Sequence, residues 1–107
     1  MLTISLICNL GMSTSMLVTK MTEYAKKIGV EVDIDAMPFD KMGDRINMTD
    51  ILLIGPQVRH LYKKISAEFG DTVPVIKVMD MSQYALMKAD VMFDEAFKEY
   101  SAKVAEE

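Results

Sequence analysis

The single cysteine of the chain, Cys8, is the residue whose type and surroundings most clearly predict chemistry. A thiol close to a helix amino terminus ionises readily, because free backbone N–H groups and the helix dipole favour negative charge there. Gly11 lets the backbone turn tightly around an anion, and amides and hydroxyls nearby can bind phosphoryl oxygens. We therefore predict a nucleophilic thiolate at Cys8 and a phosphoryl-binding loop made of Asn9, Leu10, Gly11, Met12, Ser13, Thr14 and Ser15.

This loop lacks the fixed positive charge of a cysteine phosphatase. A loop of the Cys-x5-Arg type has an arginine six positions after its cysteine, where this chain has Thr14. The guanidinium would clamp the phosphoryl group and stabilise the transition state of hydrolysis. The sequence therefore favours a phosphocysteine that is held and passed on. A phosphatase-like hydrolase and a non-catalytic regulatory module of the same fold remain alternatives, whereas a redox or arsenate-reducing protein would need a second cysteine.

The elements around this loop alternate between strand and helix patterns. Residues 2–7 form an apolar run typical of a buried strand, and apolar residues recur at helical spacing over 16–28. Over 30–36, apolar and acidic residues alternate, which predicts a strand with one exposed face at a sheet edge, ended by Pro38. Residues 40–48 are mostly polar, with a helical turn expected inside them. We place no chemistry in that connection.

The second half of the chain repeats the alternation. Residues 51–54 are a continuous apolar run, as expected of a central parallel strand covered on both faces. Pro56 suits a helix start, and the helix predicted from there to Gly70 carries an apolar stripe. Residues 73–78 form the last strand, placed at the other edge because Pro74 cannot donate to a central ladder. The apolar stripe of the helix predicted from Pro56 to Gly70 consists of Val58, Leu61, Ile65 and Phe69.

Two helices are predicted after the last strand. Ser82 is expected to cap a short helix, while Asp80 and Tyr84 are interpreted as structural. A final helix from Asp90 carries apolar residues at helical spacing, which predicts that it packs on the sheet. These residues are Phe93, Phe97, Tyr100 and Val104.

Right-handed crossovers turn these elements into one topology. With the first and third strands central, the simplest arrangement is an open four-stranded parallel sheet of order 2-1-3-4 with helices on both faces, an α/β fold. The order changes direction between strands one and three, and ligands bind at such switch points. The loops after these two strands should flank one crevice, which makes Gly55, Pro56 and Gln57 neighbours of Cys8. We expect residues 1–107 to form one domain.

Composition excludes several classes of function. The net charge of −4 and the pI near 4.9 argue against a nucleic-acid partner. No apolar run reaches the roughly 18 residues of a membrane span, and no signal peptide is recognisable, so we expect a cytoplasmic chain that does not span a membrane. One cysteine and one histidine cannot supply the usual four zinc ligands, so no metal is expected.

His60 is the residue with two competing interpretations. It could carry a phosphoryl group or act as the base of a Cys/His pair. It lies off the apolar stripe, beside Arg59, Lys63 and Lys64, and this position favours an exposed surface residue. The neighbouring cations could instead steer an acidic partner.

Two motifs of the chain resemble a known family. Cys8 with the Gly-Met-Ser-Thr-Ser of residues 11–15, together with Leu-Ile-Gly-Pro-Gln-Val over 53–58, looks like enzyme IIB of the lactose/cellobiose branch of the bacterial sugar phosphotransferase system. The likeness covers nearly the whole chain in length and element order. Met-Ser-Thr-Ser is closer to the cellobiose or diacetylchitobiose type than to the lactose type, whose loop is richer in glycine.

The resemblance implies a phosphocarrier with a fold similar to that of low-molecular-weight tyrosine phosphatases. Cys8 would accept a phosphoryl group from a phosphohistidine of enzyme IIA and give it to a sugar, a β-linked disaccharide for this type, during uptake through the membrane component enzyme IIC. Such a transfer needs no metal or cofactor, because positioning and electrostatics supply most of the catalysis. A partner must enclose the site, so we expect a partly apolar rim that includes Leu10, Met12 and Met16.

Overall fold

A four-stranded parallel sheet organises the chain, as a computed structural model shows. The structure describes residues 1–8 and 12–105, without the side chains of Met12 and Ser13. The order of its strands in the sheet is 2-1-3-4, which confirms the predicted order and α/β class. The likeness to tyrosine phosphatases stays a prediction. The strands are β1 (Leu2–Ile7), β2 (Val32–Met37), β3 (Ile51–Ile54) and β4 (Val75–Val78).

Helices connect the strands on both sides of the sheet. Four α-helices lie within the described residues: α1 (Met12–Lys27), α2 (Tyr62–Phe69), α3 (Met81–Ala85) and α4 (Ala89–Ala105). Three 3-10 segments lie there as well: Phe39–Lys41, Gly43–Met48 and Pro56–Leu61. The predicted turn within residues 40–48 is therefore confirmed as 3-10 structure. None of the helices in this described part is long and apolar enough to cross a membrane.

The face of the sheet that packs against α1 and α4 is called the helical face below. Alternate residues of β1, starting at Leu2, point to it, because successive side chains of a strand point to opposite sides. Phe93 of α4 is completely buried against this face and meets Tyr24 of α1 edge to face, with ring centroids 5.8 Å apart. The Tyr24 hydroxyl donates to the Asp94 carboxylate at 2.9 Å, and this hydrogen bond raises the pKa of Tyr24 above 10.0. A continuous apolar core thus joins β1 to both long helices.

The opposite face, called the 3-10 face below, is covered by the three 3-10 segments and α2. Its core contains Ile7, Leu52 and Ile54 of the sheet, packed against residues such as Ile65 of α2. It also holds a polar cluster in which Ser5 and Thr49 are buried, Arg45 is partly buried and Asp33 is exposed. The Arg45 Nε donates to Ser5 Oγ at 2.8 Å, Ser5 Oγ and Thr49 Oγ1 are 2.9 Å apart, and the Thr49 hydroxyl donates to the Arg45 carbonyl at 2.8 Å. Arg45 also pairs with Asp33 at 3.2 Å, so the cluster fastens the segment Gly43–Met48 across β1 and β2.

The helix predicted from Pro56 to Gly70 is divided, which corrects the sequence prediction. Its first part is the 3-10 segment Pro56–Leu61, and Val58 has non-helical φ and ψ of −121° and 26°. The Val58 N–H donates to the Gly55 carbonyl at 3.0 Å, closing a tight turn. Val58 is buried in the core of the 3-10 face. Tertiary packing of this β-branched residue outweighs continuous helical periodicity.

The cap of the short helix α3 is Asp80, so the expected cap at Ser82 was wrong. Asp80 Oδ2 accepts from the Gln83 N–H at 3.0 Å, and the Ser82 hydroxyl donates to the same oxygen at 3.0 Å. An ionised carboxylate one residue before the helix start is well placed to accept a free N–H of the first turn. These hydrogen bonds, chiefly that from Gln83, hold the pKa of Asp80 below 3.8.

Three residues assigned to apolar stripes are exposed, which corrects those assignments. Met16 of α1, Ile28 directly after α1 and Val104 of α4 expose 53%, 43% and 42% of their surface. Met16 lies at the margin of the buried stripe of α1, Ile28 follows the last residue of that helix, and Val104 lies near the end of α4. Periodicity predicts the centre of a stripe better than its margins, because the width of the covered surface depends on the neighbouring elements.

Candidate functional site

Cys8 lies directly beyond the carboxyl end of β1 and is buried, with 2% of its surface exposed. Its N–H donates to the Met37 carbonyl at 3.2 Å, which continues the pairing of β1 with β2 by one residue. This amide is therefore occupied by the sheet. An anion next to the sulfur would therefore need amides from later in the chain, where the first turn of a helix such as α1 has N–H groups without intrahelical acceptors.

Gly55 brings the end of β3 against Cys8. Its N–H donates to the Ile7 carbonyl at 2.7 Å, which joins the two strand ends. A Cβ placed on Gly55 would lie 3.1 Å from the Ile7 carbonyl oxygen and 3.5 Å from the Cys8 Cβ. The same Cβ would lie 3.1 Å from Gln57 Oε1. The absent side chain at Gly55 thus allows the two strand ends to meet. Pro56 is buried next to it, while Gln57 is exposed.

A groove on the 3-10 side of the sheet leads to Cys8. It has a volume of about 320 Å³, and Cys8 and Ile7 lie along it together with Val58. Partly buried apolar side chains and two exposed polar ones complete its walls. These residues are Pro38, Phe39, Asp40, His60 and Leu61. The sulfur-bearing residue is buried but lies on an open groove, and His60, an exposed residue as the sequence favoured, lies on the same groove.

Thr14, a residue of the predicted loop, contacts another element of the fold through its side chain. It is buried, with 2% of its surface exposed, and its hydroxyl lies 3.2 Å from the hydroxyl of Tyr84. Sequence reasoning missed this contact, because it placed Tyr84 one strand away from the site. A large, partly buried tyrosine usually finds a hydrogen-bond partner for its hydroxyl, but the sequence does not say which. The structure brings α3 to the first turn of α1 through this pair.

Of the remaining predicted loop and rim residues, some are exposed on α1 and the others lie outside the part of the chain that the structure describes. Ser15 and Met16 are exposed on α1, and the Ser15 carbonyl accepts from the Thr19 hydroxyl at 3.1 Å. Asn9, Leu10 and Gly11 lie outside the described residues, as do the side chains of Met12 and Ser13. The predicted phosphoryl-binding and rim roles of those five residues therefore stay predictions.

The opposite end of the sheet offers a larger cavity with different chemistry. It has a volume of about 450 Å³ and is lined by Met1 at the start of β1, with Lys26 and Glu31 among its polar residues. Ligands of open α/β sheets bind beyond the carboxyl ends of the strands, and this cavity lies at the amino end. No group of three or more potential metal ligands occurs among residues 1–8 and 12–105.

Fold and site geometry together define an open α/β protein with a free cysteine at the switch point of its sheet. Residues 3–95 match the family model "PTS system, Lactose/Cellobiose specific IIB subunit". The chain belongs to this family. It is accordingly a IIB component of the sugar phosphotransferase system, a phosphotransferase acting in sugar uptake.

Named relatives support the same assignment. The chain is 39% identical over 93 residues to the oligo-beta-mannoside-specific EIIB component of Bacillus subtilis, covering 87% of this chain and 90% of the relative. It is 32% identical over 92 residues to the galactose-specific EIIB component of Lactococcus lactis, covering 81% and 85%. The solution structure of the cellobiose-specific IIB component from Borrelia burgdorferi superposes with a TM-score of 0.77 at 26% identity, covering 95% of this chain and 94% of that one.

Proposed function

We propose that residues 1–107 act as one cytoplasmic phosphocarrier domain in which Cys8 receives a phosphoryl group from a phosphohistidine of enzyme IIA. The domain then passes the group to a sugar at the membrane component, enzyme IIC. The observation that carries the proposal is the position of Cys8, beyond β1, against Gly55 and on an open groove. It is also the only cysteine of the chain.

The first half of the proposed reaction is an in-line attack on phosphorus by the Cys8 thiolate. The S–P bond forms as the N–P bond breaks, and the imidazole nitrogen of the donor keeps the bonding electron pair. Backbone amides from residues 9–15 and the hydroxyls of Ser13, Thr14 and Ser15 would donate hydrogen bonds to the equatorial oxygens and so stabilise their negative charge. The first turn of α1 adds the positive end of its dipole.

In the second half, Cys8 is the leaving group. A sugar hydroxyl attacks phosphorus, its proton passes to a base on the acceptor side, and the thiolate departs as the O–P bond forms. Thr14 occupies the position where a phosphatase has arginine, and its hydroxyl is engaged with Tyr84. The site therefore offers hydrolysis no fixed cation at that position, which favours transfer over loss of the phosphoryl group to water.

Replacement of the sulfur tests this function. Cys8→Ser should abolish labelling by phosphorylated enzyme IIA, as measured by intact mass and by the acid and base lability of the adduct. A matched control restores one thiol elsewhere: Ser101 is exposed on α4, and the double variant Cys8→Ser/Ser101→Cys should also stay unlabelled. Labelling of Cys8→Ser would contradict the proposal. Steady turnover of p-nitrophenyl phosphate by the wild type would favour the hydrolase alternative instead.

The acceptor is proposed to be a β-linked disaccharide. One support is the resemblance of the Met-Ser-Thr-Ser sequence at residues 12–15 to cellobiose-type proteins. The other is that two similar proteins are named as specific for oligo-beta-mannoside and for cellobiose. Competition among sugars in a system reconstituted with enzymes IIA and IIC checks this. Preferential phosphorylation of galactose, the sugar in the name of the Lactococcus relative, would contradict it.

A further inference from the structure

We propose that Arg59, His60, Lys63 and Lys64 form a basic surface that binds acidic side chains of the phosphoryl donor, enzyme IIA. This inference rests on the proposed function and adds a docking surface and its chemistry. All four side chains are exposed and lie on the 3-10 segment Pro56–Leu61 or at the start of α2.

The basic surface is electrostatically unusual for this chain. The protein carries a net charge of −4, yet no acidic residue occurs from Gly55 to Ala67. Within the described residues, no carboxylate forms an ion pair with Arg59, Lys63 or Lys64. Arg59 donates to the Pro56 carbonyl at 3.1 Å, and the Lys64 ammonium lies 5.9 Å from the centre of the Phe39 ring. The positive charges of this surface are therefore not neutralised by carboxylates within that part of the protein.

The basic surface adjoins the groove that leads to Cys8. His60 belongs to both, and Phe39, beneath Lys64, lines the groove as well. Asp40 is the acidic residue on the groove, from the segment Phe39–Lys41. A partner that presents carboxylates should therefore approach from the α2 side and place an apolar side chain over Phe39 and Leu61.

Charge distinguishes the donor from the acceptor. A phosphoryl group carries roughly −1.5 to −2 charges near neutral pH, so the donor arrives with negative charge at its reacting centre. The sugar arrives neutral. A positive surface beside the nucleophile raises the association rate of a negatively charged partner and does little for a neutral substrate. The basic surface should therefore act in the first half of the reaction.

Charge reversal at two lysine pairs provides the test. Lys63→Glu/Lys64→Glu reverses the basic surface, and Lys26→Glu/Lys27→Glu makes the same change at the other end of the molecule, beside the amino end of β1. At low salt, the first variant should lower the second-order rate of Cys8 phosphorylation by enzyme IIA by about tenfold or more, and the control by less than about twofold. The difference should shrink as salt rises.

The second half-reaction distinguishes a surface that binds the donor from one that binds the acceptor complex. With Cys8 already phosphorylated, the Lys63→Glu/Lys64→Glu protein should transfer to sugar at the wild-type rate. Equal slowing by both lysine variants, no slowing by the first, or slowing confined to sugar transfer would overturn the proposal. The last result would assign the surface to the acceptor complex. Absence of labelling in the wild type would instead contradict the proposed function itself.

A second inference comes from a different contact: we infer that Tyr84 is a positioning residue for the first turn of α1. Its hydroxyl lies 3.2 Å from that of buried Thr14, six residues after Cys8. The backbone at Cys8 is fixed by its hydrogen bond to Met37. The Thr14–Tyr84 pair fixes the first turn of α1, so it should position the end of the predicted loop relative to Cys8.

Tyr24 supplies a matched control for Tyr84. Both hydroxyls join α1 to a later helix, but Tyr24 bonds to Asp94 of α4, farther along α1 from Cys8. Tyr84→Phe should slow phosphorylation of Cys8 by about two- to tenfold, the range for loss of one hydrogen bond, and change the rate of Cys8 alkylation by iodoacetamide at a fixed pH. Tyr24→Phe should leave both rates unchanged. An unaltered alkylation rate in Tyr84→Phe, or the same change in both variants, would overturn the inference.

Discussion

The two faces of the sheet are covered by different kinds of secondary structure. The helical face is covered by α1 and α4, helices of 16 and 17 residues that bury Phe93 completely. The 3-10 face is covered by short segments and by α2, which has 8 residues. It contains the polar cluster of Ser5, Arg45 and Thr49, whose groups are satisfied by one another. Apolar burial therefore dominates on the helical face, whereas apolar burial and specific hydrogen bonds together hold the 3-10 face.

The difference accounts for where the groove lies. Long helices cover a sheet continuously, whereas short segments leave gaps between them, and the groove to Cys8 runs between Phe39–Lys41 and Pro56–Leu61. We therefore expect the helical face, away from the groove, to contribute more of the stability than the 3-10 face. Four experiments test the contacts on which the two faces and the strand ends depend, from the largest expected effect to the smallest.

Truncation of Phe93 should produce the largest effect. Phe93→Ala removes a completely buried ring from the helical face, and a loss of about 3 to 5 kcal/mol in the free energy of unfolding is expected. Phe39→Ala, on the half-exposed wall of the groove, should cost about half as much. Urea denaturation followed by circular dichroism gives both values. Equal losses would contradict the contrast between the faces.

The polar cluster should contribute less, and cooperatively. Thr49→Val removes the hydroxyl that pairs with Ser5 and donates to the Arg45 carbonyl, so a loss of about 1 to 3 kcal/mol is expected. Ser5→Ala/Thr49→Val removes both hydroxyls, and its loss should be smaller than the sum of the two single losses. Additive losses in a double-mutant cycle would show that the cluster does not act as a unit.

A side chain at Gly55 should disturb the meeting point of the two strand ends. Gly55→Ala places a Cβ about 3.1 Å from the Ile7 carbonyl oxygen, a backbone atom held in the sheet. The expected loss of stability is about 1 kcal/mol, at the low end for overpacking. Alkylation of Cys8 should also change in rate, because the same Cβ contacts Cys8.

Gly70→Ala is unsuitable as a control for Gly55→Ala, since its Cβ would lie 2.5 Å from the Ser66 carbonyl oxygen. Ala67→Ser, on an exposed position of α2, serves instead.

The cap of α3 should have the smallest effect, and one that depends on pH. Since the pKa of Asp80 is lowered in the folded state, the carboxylate stabilises the protein above pH 3.8, and this contribution is lost as the pH falls through the folded-state value. Asp80→Ala should therefore be less stable than the wild type at pH 7, with the two converging in acid. Thermal unfolding at several pH values measures the gap. A gap independent of pH would show that the cap does not require the charge.

The strand order could be predicted because its signals are local. The unbroken apolar run of Ile51–Ile54 marks a strand covered on both faces, and the alternation around β2 marks an edge. With right-handed crossovers, these patterns leave few topologies. The cysteine before a glycine-containing, hydroxyl-rich stretch was equally visible, because a strand end followed by a helix start can be recognised in the sequence.

Other features could not be predicted because the local pattern did not determine their geometry. The cap at Asp80, two residues before the expected Ser82, follows from the direction of one carboxylate toward one N–H. The turn at Val58 follows from the burial of its side chain in the core of the 3-10 face. In both cases the local pattern allowed two geometries, and packing selected one.

The sequence by itself determined the α/β order of the sheet and the place of Cys8 beyond its first strand, because hydrophobic periodicity and turn chemistry are properties of neighbouring residues. Only the tertiary structure decided that Tyr84 meets Thr14, that Gly55 lies against Cys8, and that His60 lies on the groove to the sulfur. The physical reason is that such contacts join residues up to 70 positions apart, and side-chain packing in three dimensions sets their distances.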